Sequence, residues 1–204
     1  MSINLKQFKT IIFDFGGVIF DINPDLTYNE FNKLIPTKVL NNIFKNNILK
    51  DFEKGLISFE ELHSGVNKIA KTNISKNNFI NAWNAMLLNY NKKRLEYLKK
   101  MKQTHKLIML SNTNELHYDF FSKKLINEYN ISLTELFHKV YLSHKMGMIK
   151  PDVNIYKYVL LEQKIIPNET LFIEDTKENV ITANSIGIKT LTITRNNDFY
   201  TYFE

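Results

Sequence analysis

Asp14, Ser111, Asn112, Lys150, Glu174 and Asp175 are the side chains of this sequence whose types suit one shared reaction, although they are spread along most of the chain. Each stands at the polar end of an apolar run or in a loop behind one. Asp14 closes Thr10-Ile11-Ile12-Phe13, Ser111 and Asn112 close Lys106 to Leu110, Glu174 and Asp175 close Thr170 to Ile173, and Lys150 precedes Pro151. Two or three carboxylates alone would repel a phosphate. A hard divalent cation removes that conflict, and Mg²⁺ takes oxygen ligands, commonly one or two carboxylates with substrate phosphate and water. Lys150, the Ser111 hydroxyl and the amides that open the next helix would supply the anion-binding half. An aspartate set against a metal-bound phosphoryl group can act as a covalent nucleophile. The same residues have plainer uses: Asp before Gly forms turns, an acidic pair caps the helix behind it, and Lys-Pro-Asp opens one. The chemical reading requires that the chain gather them.

The elements needed to gather them are legible. Residues 9–15 and 106–110, Val140-Tyr141-Leu142, Thr170 to Ile173 and Lys189 to Ile193 are short apolar, β-branched runs and read as five buried strands. From Asn114 onward helical patterns separate them: one to Tyr129, one opened by Pro151 with Ile155, Val159 and Leu160 on a face, and one from Glu178 to Ile186 capped by Gly187. Such alternation gives an α/β fold with a doubly wound, mostly parallel, Rossmann-like five-stranded sheet. Ligands in such sheets bind beyond the carboxyl ends of the strands, where every cluster above falls. Residues 22–94 break the rhythm, with helix signals at Pro36, Ser75 and the Ser58-Phe59-Glu60-Glu61 capping box, and no convincing strand. They are expected to form a helical cap inserted into a core of residues 1–21 and 95–204, with Trp83 in the cap's own interior. The aromatic end Phe199 to Phe203 is expected to pack on the sheet edge.

The segments IIFDFGGV, IMLSNTN, MIKPD and FIEDTKEN resemble the four motifs of the haloacid dehalogenase (HAD) superfamily, in order and in spacing. The likeness spans about Lys9 to Ile193. It is nearest to bacterial sugar-phosphate phosphatases of the glucose-1-phosphate phosphatase type, which share a glycine-bearing first motif, a Ser-Asn-Thr-Asn second motif followed by a histidine (here His117), and a Glu-x-Gly-x-Ile-Ser stretch (here Glu53 to Ser58). The resemblance implies that Asp14 is the nucleophile and a metal ligand, that the Gly16 carbonyl and Asp175 also hold Mg²⁺, and that Glu174 is a ligand or a ligand's partner. It implies that Ser111 and Asn112 hold the transferring phosphoryl group while Lys150 neutralises it and Asp14. One departure is plain. Most phosphatases of the superfamily carry a second Asp two residues after the nucleophile as general acid and base, and this chain has Gly16 there. His117 and Asp21 are the candidate substitutes.

Composition limits the partners. The 204 residues carry 27 Lys+Arg against 21 Asp+Glu, a net charge of +6, but only Arg94 and Arg195 are arginines and the lysines form no long block. Phosphate and base readout favours the guanidinium fork and a localised basic face, so no nucleic-acid partner is expected. With no cysteine, disulfides and thiolate chemistry are excluded. No apolar run approaches the roughly 18 residues of a membrane span, and the first residues lack a secretory pattern. The expectation is a soluble, cytoplasmic monomer or homodimer acting on a small phosphorylated metabolite with Mg²⁺. The rival readings are a phosphotransferase or mutase, a metal-independent dehalogenase, and a non-catalytic binding module.

Overall fold

The computed structural model describes residues 3–194 and 197–203, so Arg195 lies outside the described residues. Five strands form one parallel sheet: β1 (Thr10–Phe13), then, after a two-stranded ribbon and a helical block, β4 (Lys106–Ser111), β5 (Lys139–Leu142), β6 (Thr170–Glu174) and β7 (Lys189–Thr192). Their order is β5-β4-β1-β6-β7, so the chain winds outward from β1 on one side and then returns to build the other. That is the expected doubly wound sheet, with β1 at the point where the order reverses.

The period of two decides which residues face which layer. Ile11, Phe13, Leu107, Met109, Leu171 and Ile173 enter one buried cluster, whereas Ile12, Ile108, Leu110 and Phe172 enter the cluster on the opposite face. Strands covered on both faces need no polar alternation, which is why they are continuous apolar runs in the sequence. The ribbon pairs β2 (Phe20–Ile22) antiparallel with β3 (Leu87–Tyr90). Between them lie α1 (Pro24–Asn32), α2 (Thr37–Phe44), α3 (Asn47–Glu53), α4 (Phe59–Ala70) and α5 (Lys76–Asn84), packed around Phe31, Leu40, Phe52, Phe79 and Trp83. Ser58 and Glu61 make the expected reciprocal capping box of α4. The remaining helices are α6 (Lys92–Met101), α7 (Glu115–Tyr129), α8 (Leu133–Leu136), α9 (Ser143–Met146), α10 (Val153–Gln163) and α11 (Lys177–Ser185).

Three expectations are corrected. Residues 22–94 do contain a strand: β3 is set by pairing with β2 across more than sixty residues, and locally Leu87 only continues the helical spacing of Phe79, Ile80 and Trp83. Pro151 does not open a helix. It lies in a turn after a cis peptide bond, and α10 starts at Val153 with the Asp152 carboxylate accepting the Asn154 N–H at 2.9 Å. The aromatic end covers a sheet face rather than an edge, with Phe199 fully buried and its ring 5.2 Å from that of Phe13.

The helical block meets the strand ends at one very close approach. Gly55 has φ +66°, and a Cβ there would fall 2.0 Å from the carbonyl oxygen of His144. Beside it the buried Ser143 hydroxyl accepts the Thr113 N–H at 2.8 Å and lies 2.6 Å from the Glu53 carbonyl and 2.7 Å from that of Thr113, donating to one of them. Gly55→Ala is expected to lower stability by about 2–4 kcal/mol, since a left-handed non-glycine residue costs roughly 1–2 kcal/mol and the added methyl must push two backbones apart. For a chain of this size that is a fall in Tm of about 4–16 °C. An unchanged Tm would show that this loop is not held against His144.

Candidate active site

Asp14, Lys150, Glu174 and Asp175 lie together at the carboxyl ends of β1 and β6, on a crevice of about 830 Å³ that Gly16, Asp21, Arg94 and Asn112 also line. Asp14 is carried straight off β1, its N–H donating to the Ile173 carbonyl at 2.9 Å. The Lys150 ammonium is buried between two carboxylates, 2.6 Å from Asp14 Oδ1 and 2.7 Å from Glu174 Oε2. Burial opposes its charge, but the two carboxylates outweigh that and hold its pKa above the ordinary lysine value.

The three carboxylates are not equivalent. Each of Asp14, Glu174 and Asp175 places an oxygen within 4.8 Å of the others. Glu174 is wholly buried and uses every acceptor site: Oε1 takes the N–H groups of Asp175 and Thr176 at 3.0 Å, and Oε2 takes Lys150 and the Asn179 side-chain amide at 2.7 and 2.8 Å. Burial pushes its carboxyl up, yet Lys150 and these donors pull it below the ordinary glutamate value. Asp14 goes the other way. Burial and the Glu174 charge outweigh Lys150 and raise its pKa to about 7. Asp175 stands at the rim with its carboxylate turned toward Gly17, where a Cβ would be 2.3 Å from Oδ2, and loss of water together with Glu174 lifts it to about 6. Two carboxylates that resist ionisation, oxygen-only donors and no nitrogen or sulfur ligand make a set suited to a hard cation.

Other expected residues fall in several places. Asn112 lines the crevice, but its side chain clamps the main chain of Lys150: Nδ2 donates to the Lys150 carbonyl and Oδ1 accepts its N–H, both at 2.8 Å. Ser111 is buried beneath the lining, with its hydroxyl on the Asn112 carbonyl at a long 3.4 Å. Asp21 lines the crevice with Oδ1 bonded to Arg94. His117 is not at the crevice, which removes it as a substitute acid or base. Its Nε2 sits 3.2 Å from the Trp83 carbonyl under the helical block, and burial pushes its pKa down to about 4. Gly16 has no second carboxylate to offer, and the Ile22 side chain lies 3.1 Å from where its Cβ would be.

Two residues of the site carried no role in the sequence reading. Asn179 stands four positions after Asp175, one helical turn, so it returns to the strand end and reaches Glu174. Arg94 was legible only as one of two arginines in a lysine-rich chain.

The chain matches the family model described as haloacid dehalogenase-like hydrolase over residues 11–193. It belongs to that family. Within it, the chain is similar to a D-ribitol-5-phosphate phosphatase of Bacteroides thetaiotaomicron, 27% identical over 186 residues that cover 89% of this chain and 90% of the relative. It is also similar to a sesquiterpene phosphatase of Aspergillus oryzae, 26% identical and covering 92% and 90%. The crystal structure of a HAD family enzyme from B. thetaiotaomicron in complex with magnesium and inorganic phosphate superposes with a TM-score of 0.89 at 30% identity, over 97% of this chain and 100% of that one. The phosphatase names of the relatives bear out the expectation of a HAD-like phosphoric monoester hydrolase. Among the described residues no helix is long and apolar enough to cross a membrane.

Proposed function

We propose that this HAD-like hydrolase is a Mg²⁺-dependent phosphatase acting on a small sugar phosphate through an aspartyl phosphate on Asp14, with residues 22–94 as a cap over a core of 1–21 and 95–204. The observation that carries the reading is the meeting of Asp14, Lys150, Glu174 and Asp175 on one crevice from positions far apart in sequence. Asp14, Asp175 and the Gly16 carbonyl would hold the ion, and Glu174, saturated by its four donors, would anchor Lys150 and the turn at Asp175. Magnesium bound there would supply positive charge against the phosphoryl oxygens.

The chain's own groups do the rest. An Asp14 oxygen attacks phosphorus, the bond to the leaving oxygen breaks, and Lys150 balances the charge that both carboxylates bring to the phosphate. The Ser111 hydroxyl, held only by a 3.4 Å bond, can turn to a phosphoryl oxygen, and Asn112 keeps Lys150 in place. Water then cleaves the aspartyl phosphate and releases inorganic phosphate. Position 16 offers no proton to the departing oxygen, and a positioned general acid typically contributes about 10²–10⁴-fold. An anomeric sugar oxygen leaves more easily than a primary alcohol and depends less on such a group.

The test is a phosphate-release screen over aldose 1-phosphates, alditol and aldose phosphates on primary alcohols, and nucleotides, with and without Mg²⁺. Release is expected to stop in EDTA, to return with Mg²⁺, and to be fastest for anomeric phosphates. Release indifferent to EDTA would remove the metal from the reading, and phosphate passed to a sugar instead of water would make the enzyme a phosphotransferase.

A further inference from the structure

Four consecutive residues behind the end of β4 each hold a different part of the molecule. Asn112 clamps the main chain of Lys150. Thr113 gives its N–H to the Ser143 hydroxyl, which lies 2.6 Å from the Glu53 carbonyl at the end of α3. Asn114, the N-cap of α7, accepts two N–H groups on one oxygen: the Trp83 indole of α5 at 3.3 Å and the His117 main chain at 3.1 Å. Glu115 accepts the N–H of Phe59, the first residue of α4, at 3.0 Å. Three helices of the block therefore end on three adjacent residues, and the fourth residue of the run holds the lysine. Both partners of Asn114 are donors, so only its carbonyl oxygen fits them. The first turn of α7 grips Trp83 a second time. The Trp83 carbonyl can only accept, so His117 Nε2 carries the proton and donates to it at 3.2 Å. None of Trp83, Asn114 and His117 lines the crevice.

We infer that Asn114 is a positioning residue of this hydrolase: through its bond to Trp83, the seated helical block fixes residues 112–115 and with them Ser111 and Lys150 against the phosphate. This rests on the phosphatase reading above and gives the block an action on the phosphate half of the site, separate from any contact with the rest of the substrate. The warrant is the shortness and burial of the connection. Planar peptides leave two soft dihedrals per residue, and Thr113 and Asn114 are 5% and 1% exposed, so packing takes up that freedom. A shift at Asn114 is passed to Asn112, two residues away, and Asn112 bonds Lys150 twice. Misplacing a reacting or binding group by about 1 Å can cost on the order of 10²-fold in rate. Coupling of this kind is reciprocal, so phosphate held by Ser111 and Lys150 must bear on the Trp83 bond by the same factor. Trp83 is the sole tryptophan of the chain, and its emission reads that bond directly.

The experiment uses the whole chain with Mg²⁺ and takes inorganic phosphate as the probe. Phosphate is expected to inhibit release from p-nitrophenyl phosphate and to change Trp83 emission over the same concentration range. Trp83→Phe keeps a ring and removes the indole N–H, whereas Asn114→Ser keeps an oxygen that caps α7 but is too short for the indole. Each should raise the Ki of phosphate about fivefold or more and lower kcat about tenfold or more. The factor should be the same for p-nitrophenyl phosphate and for a sugar phosphate. The double variant should be no worse than either single one, because the same bond is lost in all three. Asn114→Asp keeps the accepting oxygen and should stay within about threefold of wild type. Asn67→Ala, which breaks the Asn67 bonds to Ile74 inside the block, should lower Tm and leave Ki and kcat within about twofold. Unchanged Ki and kcat in Trp83→Phe overturn the inference, as does emission indifferent to inhibiting phosphate, or an Asn67→Ala loss equal to that of Asn114→Ser. A wild-type protein that neither releases phosphate nor responds to it overturns the phosphatase reading, and the inference with it.

Discussion

Asp14→Asn is expected to abolish turnover while making the metal-free protein more stable. The activity loss follows from the attacking oxygen: an amide has no negative charge to attack with, and removing a nucleophile of this kind costs about 10⁴-fold or more in kcat. The stability gain follows from the site's electrostatics. Burial and Glu174 together outweigh Lys150 and raise the Asp14 carboxyl to about 7, so the fold favours its neutral form. A carboxyl raised on folding stabilises the protein most at low pH, below its ordinary value of 3.8, and that contribution is lost as pH rises through about 7. Above pH 7 the wild-type protein therefore carries an unfavourable charge that the amide variant lacks. In thermal melts at pH 7.5 in EDTA, Asp14→Asn should melt above wild type, and the difference should narrow toward pH 5. With Mg²⁺ the order should reverse, because wild type gains a ligand that the variant binds poorly. A variant that melts below wild type in EDTA at pH 7.5 would contradict this account of the site.

That trade of stability for a charged site explains what the sequence makes legible. The three central strands, β1, β4 and β6, were readable because each is covered on both faces: Ile11-Ile12-Phe13 must be apolar throughout when Ile12 and its neighbours serve opposite layers. The polar clusters were readable for the complementary reason. Where such a run stops, a carboxylate such as Asp14 or Glu174 has no structural excuse for being buried and points to chemistry. Three things could not be read, and each depends on contacts that only the folded chain makes. β3 is a strand only because β2 pairs with it. The division of labour between Glu174 and Asp175, adjacent and alike in type, is made by four donors, one of them Asn179 and another Lys150. Arg94 takes up its bridging position between Asp21 and Asp198, 73 and 104 positions away. His117 was open between packing and catalysis until the Trp83 carbonyl and the helical block closed over it.

Lys150→Met should be the most destabilising single change in the site, and its cost should depend on pH. Methionine keeps the length and apolar stem of the lysine but removes the cation between Asp14 and Glu174, whose side chains are 10% and 1% exposed. Breaking a buried ion pair by deleting one partner costs about 3–5 kcal/mol, because the remaining charge is left without water or a counter-ion. For a chain of this size the expected fall in Tm is about 6–20 °C near neutral pH. Asp14 and Asp175 already stand near 7 and 6 with the lysine present, so without it both rise further. Carboxyls raised in this way restore stability as they are protonated, so the variant should recover as pH falls below 7, and the deficit should be largest above that value. Lys150→Met/Glu174→Gln separates charge from packing. If the lost cation is what hurts, neutralising Glu174 as well should return at least 1 kcal/mol, a coupling that a double-mutant cycle reads directly. If the double variant is instead less stable by the sum of the two single changes, Lys150 holds the site by shape, and the ion pair contributes nothing to holding Asp14 in position.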